Sequence, residues 1–404
     1  VPPPAPDWSA GAQAAAARRI RDAVLARPSQ LARRPRSALV AGFDLKFARD
    51  LAERLGNRTD LDVTVDEWRG LARGTEHTDQ RLRQAESIFA EWARTSAVWY
   101  SQRKRPDQFL AIRLHRFELD APYPRDIEID NVDAVVYIAP LFGRRIRDEL
   151  GWPLDKLVYI PNFLDLHWLD RPKLPEARFA IGFVGIEWRR KRFDLALDLL
   201  SAVRREDPRF RLVVRSLMPW QNRYAWAEAG ERDYVSRCFE RIEHDPLLRH
   251  GVVYDEPGRD MARWFRRIGH ILSTSDEEGC HTAVGEGMAS GAVPIVRPWP
   301  GAAEIYDKPW IHATIGEAAA AVLDSATSET WAAQGARAKA EVGRSHDPLA
   351  VVDAWADLLH GEVEQARTYF AAYSPLSPTG LAASSAAPAP SHPAGTASGL
   401  PVGG

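Results

Sequence analysis

The sequence predicts an α/β protein built on two doubly wound, parallel sheets. Three observations carry this. Eleven short apolar runs rich in β-branched residues recur along the chain, most of them separated by helical or loop stretches. A proline-punctuated stretch at residues 171–177 (RPKLPEA) divides these runs into six and five. A chain of 404 residues, 45% hydrophobic and with 14 Trp, can fill two cores of ordinary size.

In chain order, residues 1–36 read as an extension, with a proline-rich start and then helix-forming composition. Seven arginines stand against one acid between Arg18 and Arg36. Such a stretch suits first a solvated helix packed on the domain, and second a peripheral contact with anionic headgroups at a membrane. Residues 37–165 form the first domain, with expected strands at 37–43 (SALVAGF), 61–68, 85–92, 109–115 (FLAIRLH), 132–138 and 157–163. A helix is expected from Phe47, with apolar residues at 47, 48, 51, 52 and 55. Residues 166–346 form the second domain. Its strands are expected at 179–185, 209–217, 251–257, 269–275 and 293–296, with one amphipathic helix starting at Phe193. Asp347 and Pro348 give an N-cap and a first-position proline to a long helix over 347–373, ending near Phe370. Residues 374–404 are too poor in large apolar side chains to order themselves.

The most informative stretch begins at Asp276 and reads DEEGCHTAVGEGMASGAVPIV. An apolar strand precedes it, a small-residue helix fills it, Gly291 closes the helix and a strand follows, which makes a βαβ unit. Glu278 then falls in the loop at the carboxyl end of a strand, where open α/β sheets bind ligands. The backbone N–H groups of Gly279, Cys280, His281 and Thr282 open the helix and attract anions such as phosphate. Glu286, one to two turns on, can accept hydrogen bonds from the paired hydroxyls of a ribose.

These residues resemble the Glu-x7-Glu motif of retaining, family 4-like glycosyltransferases of the GT-B architecture. The resemblance covers roughly residues 37–370 and is strongest in the second half. It implies two Rossmann-like domains facing each other across a cleft, the first binding the acceptor and the second the nucleotide-sugar donor. It places the first glutamate, Glu278, against the donor sugar and the second, Glu286, on the ribose. It implies that His115, ending the fourth strand, faces the sugar and acceptor. Counting from Gly185, it puts the diphosphate on Lys191, with Arg190 supplying charge where the family's arginine position holds Ile186. Gly42, after the first strand, is expected to let backbone approach the ligand. Glu118 is a further candidate for acceptor hydroxyls, or else a surface partner of Arg116. Asn162 and Asp165 match the family's interdomain segment, and Gly301 and Glu304 match a later turn. Phe163, Ile186 and His281 depart from the pattern, the first and last standing where glycine is usual.

The activity so implied is transfer of a sugar, with retention, from a nucleotide-diphosphate donor to a hydroxyl of a glycan, lipid-linked or small-molecule acceptor. The setting it suggests is cell-surface polysaccharide or glycoconjugate synthesis. Cations and a helix N-terminus can neutralise the departing diphosphate, so no metal and no cofactor are expected. The competing reading is a catalytically silent protein that binds the sugar nucleotide. A Rossmann oxidoreductase is disfavoured because no GxGxxG follows the first strand. A net charge of −2 and the lack of a recognised module disfavour nucleic acid. Two cysteines imply no disulfide framework, no apolar run reaches 18 residues, and the N-terminus lacks a signal-peptide layout. The expectation is a soluble, cytoplasmic protein, with the basic extension as its one feature suited to the inner membrane face.

Overall fold

The computed structural model describes residues 34–68 and 76–376. The readings made for the N-terminal extension and the C-terminal tail therefore lie almost wholly outside the described residues. The first sheet holds β1 (Arg36–Gly42), β2 (Leu61–Glu67), β3 (Ser87–Glu91), β4 (Phe109–Leu114), β5 (Ala134–Tyr137) and β6 (Leu157–Tyr159). The second holds β7 (Ala180–Val184), β8 (Arg211–Arg215), β9 (Val252–Asp255), β10 (His270–Ser273) and β11 (Val293–Val296). All pairings are parallel, in the orders β2-β1-β3-β4-β5-β6 and β11-β10-β7-β8-β9. Each of the eleven apolar runs becomes a strand. Parallel sheets are covered on both faces, so their strands read as unbroken apolar runs; β3 and β4 are buried at every residue.

Both strand orders fix where a ligand can sit. The chain leaves β1 for β2, then crosses to β3 on the other side of β1. In the second sheet it runs from β7 outward to β9, then returns to β10 on β7's other flank. The crevices between β1 and β3, and between β7 and β10, are topological switch points, where open α/β sheets take ligands at their carboxyl ends.

Helix α1 (Phe193–Glu206) buries Phe193, Ala196, Leu197, Leu200 and Val203, the stripe its 3.6-residue period predicts. Helix α2 (Thr282–Ala289) follows β10, and its small residues let it sit close to the sheet. A Cβ on Gly287 would come within 2.6 Å of the Ile271 side chain. Helix α3 (Pro348–Leu359) is capped by Asp347, whose carboxylate accepts from the Leu349 N–H at 3.1 Å. It buries residues 351–359 in the core of the first sheet, with the Trp355 ring 4.0 Å from that of Phe89. The expected single helix to Phe370 is in fact two. Gly361 takes a left-handed φ of 86°, breaking the helix before the shorter one at Val363–Thr368.

Ion pairs hold the interdomain segment to the first domain and tie the two halves along the cleft. Arg54 meets Asp165 at 2.6 Å, Arg116 meets Glu277 at 2.9 Å, and Arg144 grips Glu304 through two bonds of 2.6 Å. Phe163 stands under the Arg54 guanidinium at 4.6 Å, so the ring at this departure from the glycine pattern helps hold the same junction. Among the described residues, no helix is long and apolar enough to cross a membrane.

Candidate active site

On the second sheet, the loops after β7 and β10 meet at the switch point. Gly185 follows β7 with a left-handed φ of 85°, and a Cβ there would lie 3.2 Å from Glu187 and 3.6 Å from Lys191. The basic loop that follows is pinned to the motif after β10. The Thr274 hydroxyl can donate to the carbonyls of Lys191 and Arg192, each at 2.9 Å, and the Asp276 N–H donates to the Arg190 carbonyl at 2.9 Å. Ile186 does not face the cleft. Its side chain is buried in the second core, and its N–H donates to Ser216 Oγ at 2.9 Å.

Lys191 Nζ and Ser275 Oγ both donate to Glu278 Oε1 at 2.6 Å, and an Arg190 amino group lies 4.0 Å from Oε2. Burial works against the charge on Glu278. The fields of His281 and Lys191, with the hydrogen bonds from Lys191 and Ser275, nevertheless hold its carboxyl at about 2. His281 is itself pushed down to about 4, chiefly by burial. At neutral pH, then, the imidazole is uncharged, and Lys191 is the cation that balances Glu278. His281 adopts a left-handed φ of 45°, a conformation that favours glycine over any side chain. A 2.6 Å bond from its Nδ1 to Ser273 Oγ and burial of the ring hold it there. Cys280 Sγ accepts from Asn162 Nδ2 at 3.3 Å, and burial raises the pKa of its thiol.

On the first sheet, His115 follows β4 and is the N-cap residue of the short helix Arg116–Leu119. Its Nε2 lies 3.0 Å from Glu91 Oε1, and Glu91 Oε2 accepts from Arg113 Nε at 2.7 Å. Glu91 and Arg113 are wholly buried. Burial opposes ionisation of Glu91, but the Arg113 charge and His115 turn the balance and lower its pKa. With Glu91 ionised, His115 Nε2 is the donor in this contact. The ring is held between Trp92, with centroids 4.1 Å apart, and Phe47, at 5.2 Å. Glu91 and Arg113 escaped the sequence reading, although a charge inside each of two otherwise largely apolar strands was the available signal. Glu91→Ala, which strands Arg113 in the core, is expected to destabilise the protein by about 3–5 kcal/mol in urea unfolding.

Two sequence expectations are corrected here. Glu118 meets neither acceptor hydroxyls nor Arg116. It is buried, accepts the Ala93 N–H at 3.0 Å and the His115 N–H at 3.4 Å, and burial raises its pKa. Its role is to fix the turns that carry Trp92 and His115. Gly42 makes its close approach to protein, since a Cβ there would lie 2.9 Å from the Glu91 carbonyl oxygen. Phe47, five residues on, reaches the cleft instead.

A cavity of about 380 Å³ joins the two sides. His115, Glu278, Arg190, Lys191, Gly279, Cys280, His281 and Thr282, all expected at the site, line it together with Phe47, Trp92, Phe117 and Asn162. Glu286 lies outside this lining, on the next turn of α2. It is half-buried, and burial raises its carboxyl to about 7 against the opposing charge of Arg215. A second cavity, of about 560 Å³, runs beside Arg215, Asp255 and Trp264 and holds none of the expected site residues.

No family model and no curated sequence matches the chain. Among solved structures it is similar to Anabaena HepE in complex with UDP and glucose, with a TM-score of 0.62 and 14% identity over 81% of this chain and 100% of that one. It is also similar to sucrose-phosphate synthase from Thermosynechococcus elongatus, at a TM-score of 0.61 and 14% identity, covering 81% and 99% of the two chains. TarM aligns with a TM-score of 0.51 and 14% identity over 68% of this chain. The chain spans about half of TarM, 54% of its length. At these identities the likeness concerns architecture. The fold is the two-domain α/β arrangement of GT-B glycosyltransferases.

Proposed function

We propose that this chain is a retaining glycosyltransferase that moves a sugar from a nucleotide-diphosphate donor to an acceptor hydroxyl, in polysaccharide or glycoconjugate synthesis. The observation that carries the reading is the convergence, in one cavity, of the Lys191–Glu278 pair, Arg190, the start of α2 and His115. HepE, of like fold, is known in complex with UDP-glucose, which makes a uridine diphosphate donor the first to test.

In this reading the donor diphosphate lies by Lys191, Arg190 and the N–H groups that open α2. These groups gain most as the glycosidic bond breaks and charge collects on the leaving oxygen. The bond from sugar C1 to that oxygen breaks while a bond to the acceptor oxygen forms on the same face. The departing phosphate oxygen takes the acceptor proton. Glu278 orients sugar hydroxyls and steadies the positively charged ring. His115, on the cavity wall, hydrogen-bonds a hydroxyl of the reacting sugars. Glu286 takes the ribose hydroxyls. Because the positive charge comes from side chains, EDTA is expected to leave turnover unchanged, and a strict requirement for a divalent metal would contradict the cationic clamp.

The test is a thermal-shift series with UDP, GDP, ADP and dTDP. A nucleotide at 100 times its Kd stabilises the fold by about 2.7 kcal/mol. One of the four is expected to raise Tm. No shift with any of them would remove the donor site.

A further inference from the structure

The wall of the cavity opposite Lys191 is built differently from the rest. It presents Phe47, Trp92, Phe117 and Ile138, with His115 and Arg116 as its polar members. Phe117 is half exposed, at 50%, which a large apolar ring tolerates at a cost unless something covers it. Its conformation is supported from behind. The Arg94 guanidinium lies 5.3 Å from the Phe117 ring, 4.8 Å from Phe43 and 5.5 Å from Tyr123, a cation shared among three rings. Trp92 adopts a left-handed φ of 67°, rare for a bulky side chain, and its indole N–H donates to the Asp44 carbonyl at 2.6 Å. Backbone strain of this kind persists where the surroundings over-determine it, and it clusters at ligand sites. Of the cations on this wall, Arg116 lines the cavity and is paired with Glu277 and Asp120; Lys46, over the Phe47 and Trp92 rings, is paired with Asp44, and neither it nor Arg94 is part of the lining.

Flat rings beside an imidazole, with the one cation that lines this wall already paired, suit a sugar ring, which has a C–H face to stack and hydroxyls to hydrogen-bond. We propose that this aromatic wall is the acceptor subsite and that it takes a neutral hexopyranose unit stacked on Phe117, so that the acceptor is a saccharide rather than a phosphate-bearing lipid. The inference rests on the transferase reading above. An acceptor hydroxyl of the stacked unit forms the new bond to donor C1, and its proton leaves on the diphosphate oxygen. The Arg116–Glu277 bridge carries the wall up to the loop that bears Glu278, next in sequence.

Saturation-transfer NMR on the full chain tests this, with maltose, cellobiose, chitobiose and mannobiose against decyl phosphate, in the presence of the nucleotide that raises Tm. At least one disaccharide is expected to show transfer to its ring C–H protons. The signal should fall at least fivefold in Phe117→Ala and survive in Phe117→Trp, with the nucleotide thermal shift unchanged in both. The proposal is overturned if no disaccharide receives saturation while nucleotide binds, if Phe117→Ala leaves the signal intact, or if decyl phosphate alone binds. Disaccharide transfer that depends on Phe117, without binding of any nucleotide, would keep the sugar subsite and sink the transferase reading instead. If neither class of ligand binds, both fall.

Discussion

Lys191→Ala is expected to lower kcat about 10²–10³-fold, the loss typical of removing one preorganised group that stabilises developing negative charge, about 2.7–4 kcal/mol. The structure adds a second consequence. Lys191 is also the neutral-pH counter-ion of Glu278, which is nearly buried, so the substitution leaves a carboxylate with one hydrogen bond, from Ser275, and Arg190 as its nearest cation at 4.0 Å. A stability loss of roughly 1–3 kcal/mol is expected, since an unsatisfied buried group bears its full desolvation cost. Lys191→Ala/Glu278→Gln separates the two effects: urea unfolding should recover toward wild type while turnover stays low. Recovery of turnover in the double variant would mean that Lys191 serves the fold alone.

Glu286→Gln is expected to act in opposite directions on stability and on binding. Burial raises its carboxyl to about 7, above the ordinary carboxylate range. The folded state therefore holds a proton that the unfolded chain has released once pH passes the ordinary glutamate value. Stability declines as pH rises from about 4.5 to 7 and then levels off. Glutamine carries no such burden, so the variant should be more stable at pH 8, by on the order of 2–3 kcal/mol. The same change removes one acceptor for the ribose hydroxyls and should weaken nucleotide binding by about 1.5–3 kcal/mol, roughly 10- to 100-fold. Wild-type affinity should also fall as pH drops below 7, where Glu286 takes up its proton, and this dependence should flatten in Glu286→Gln. Titration calorimetry at pH 6, 7 and 8 reads both effects. A variant that binds nucleotide as tightly as wild type would take Glu286 out of the site.

The strands were legible because a parallel sheet covered on both faces demands unbroken apolar runs, and β3 and β4 are buried throughout. The spacing of Glu278 and Glu286 and the basic loop at Lys191 were legible because one βαβ connection fixes both glutamates, and the loop follows a strand in the same sheet. Other features depend on contacts between segments distant in sequence. Nothing around Gly42 says whether its close neighbour is a ligand or the backbone of β3. Glu118 reads as a surface charge until the turn carrying Trp92 folds over it. The break at Gly361 needs a left-handed residue that an otherwise helical pattern hides. Trp92 and Phe117 carried no motif and entered the site only through the geometry of two separate strand ends.

Helix α3 has a bearing on the order in which the chain is made. Val351, Ala354, Trp355, Leu358 and Leu359 are fully sequestered in the core of the first sheet, yet they come after every strand of the second. A chain emerging from the ribosome can finish its second sheet while the first still lacks the Trp355 ring that covers Phe89. Domains generally fold N-terminal first during synthesis. Here the earlier half is completed last, and for that interval its open core is the surface most exposed to aggregation and to chaperones.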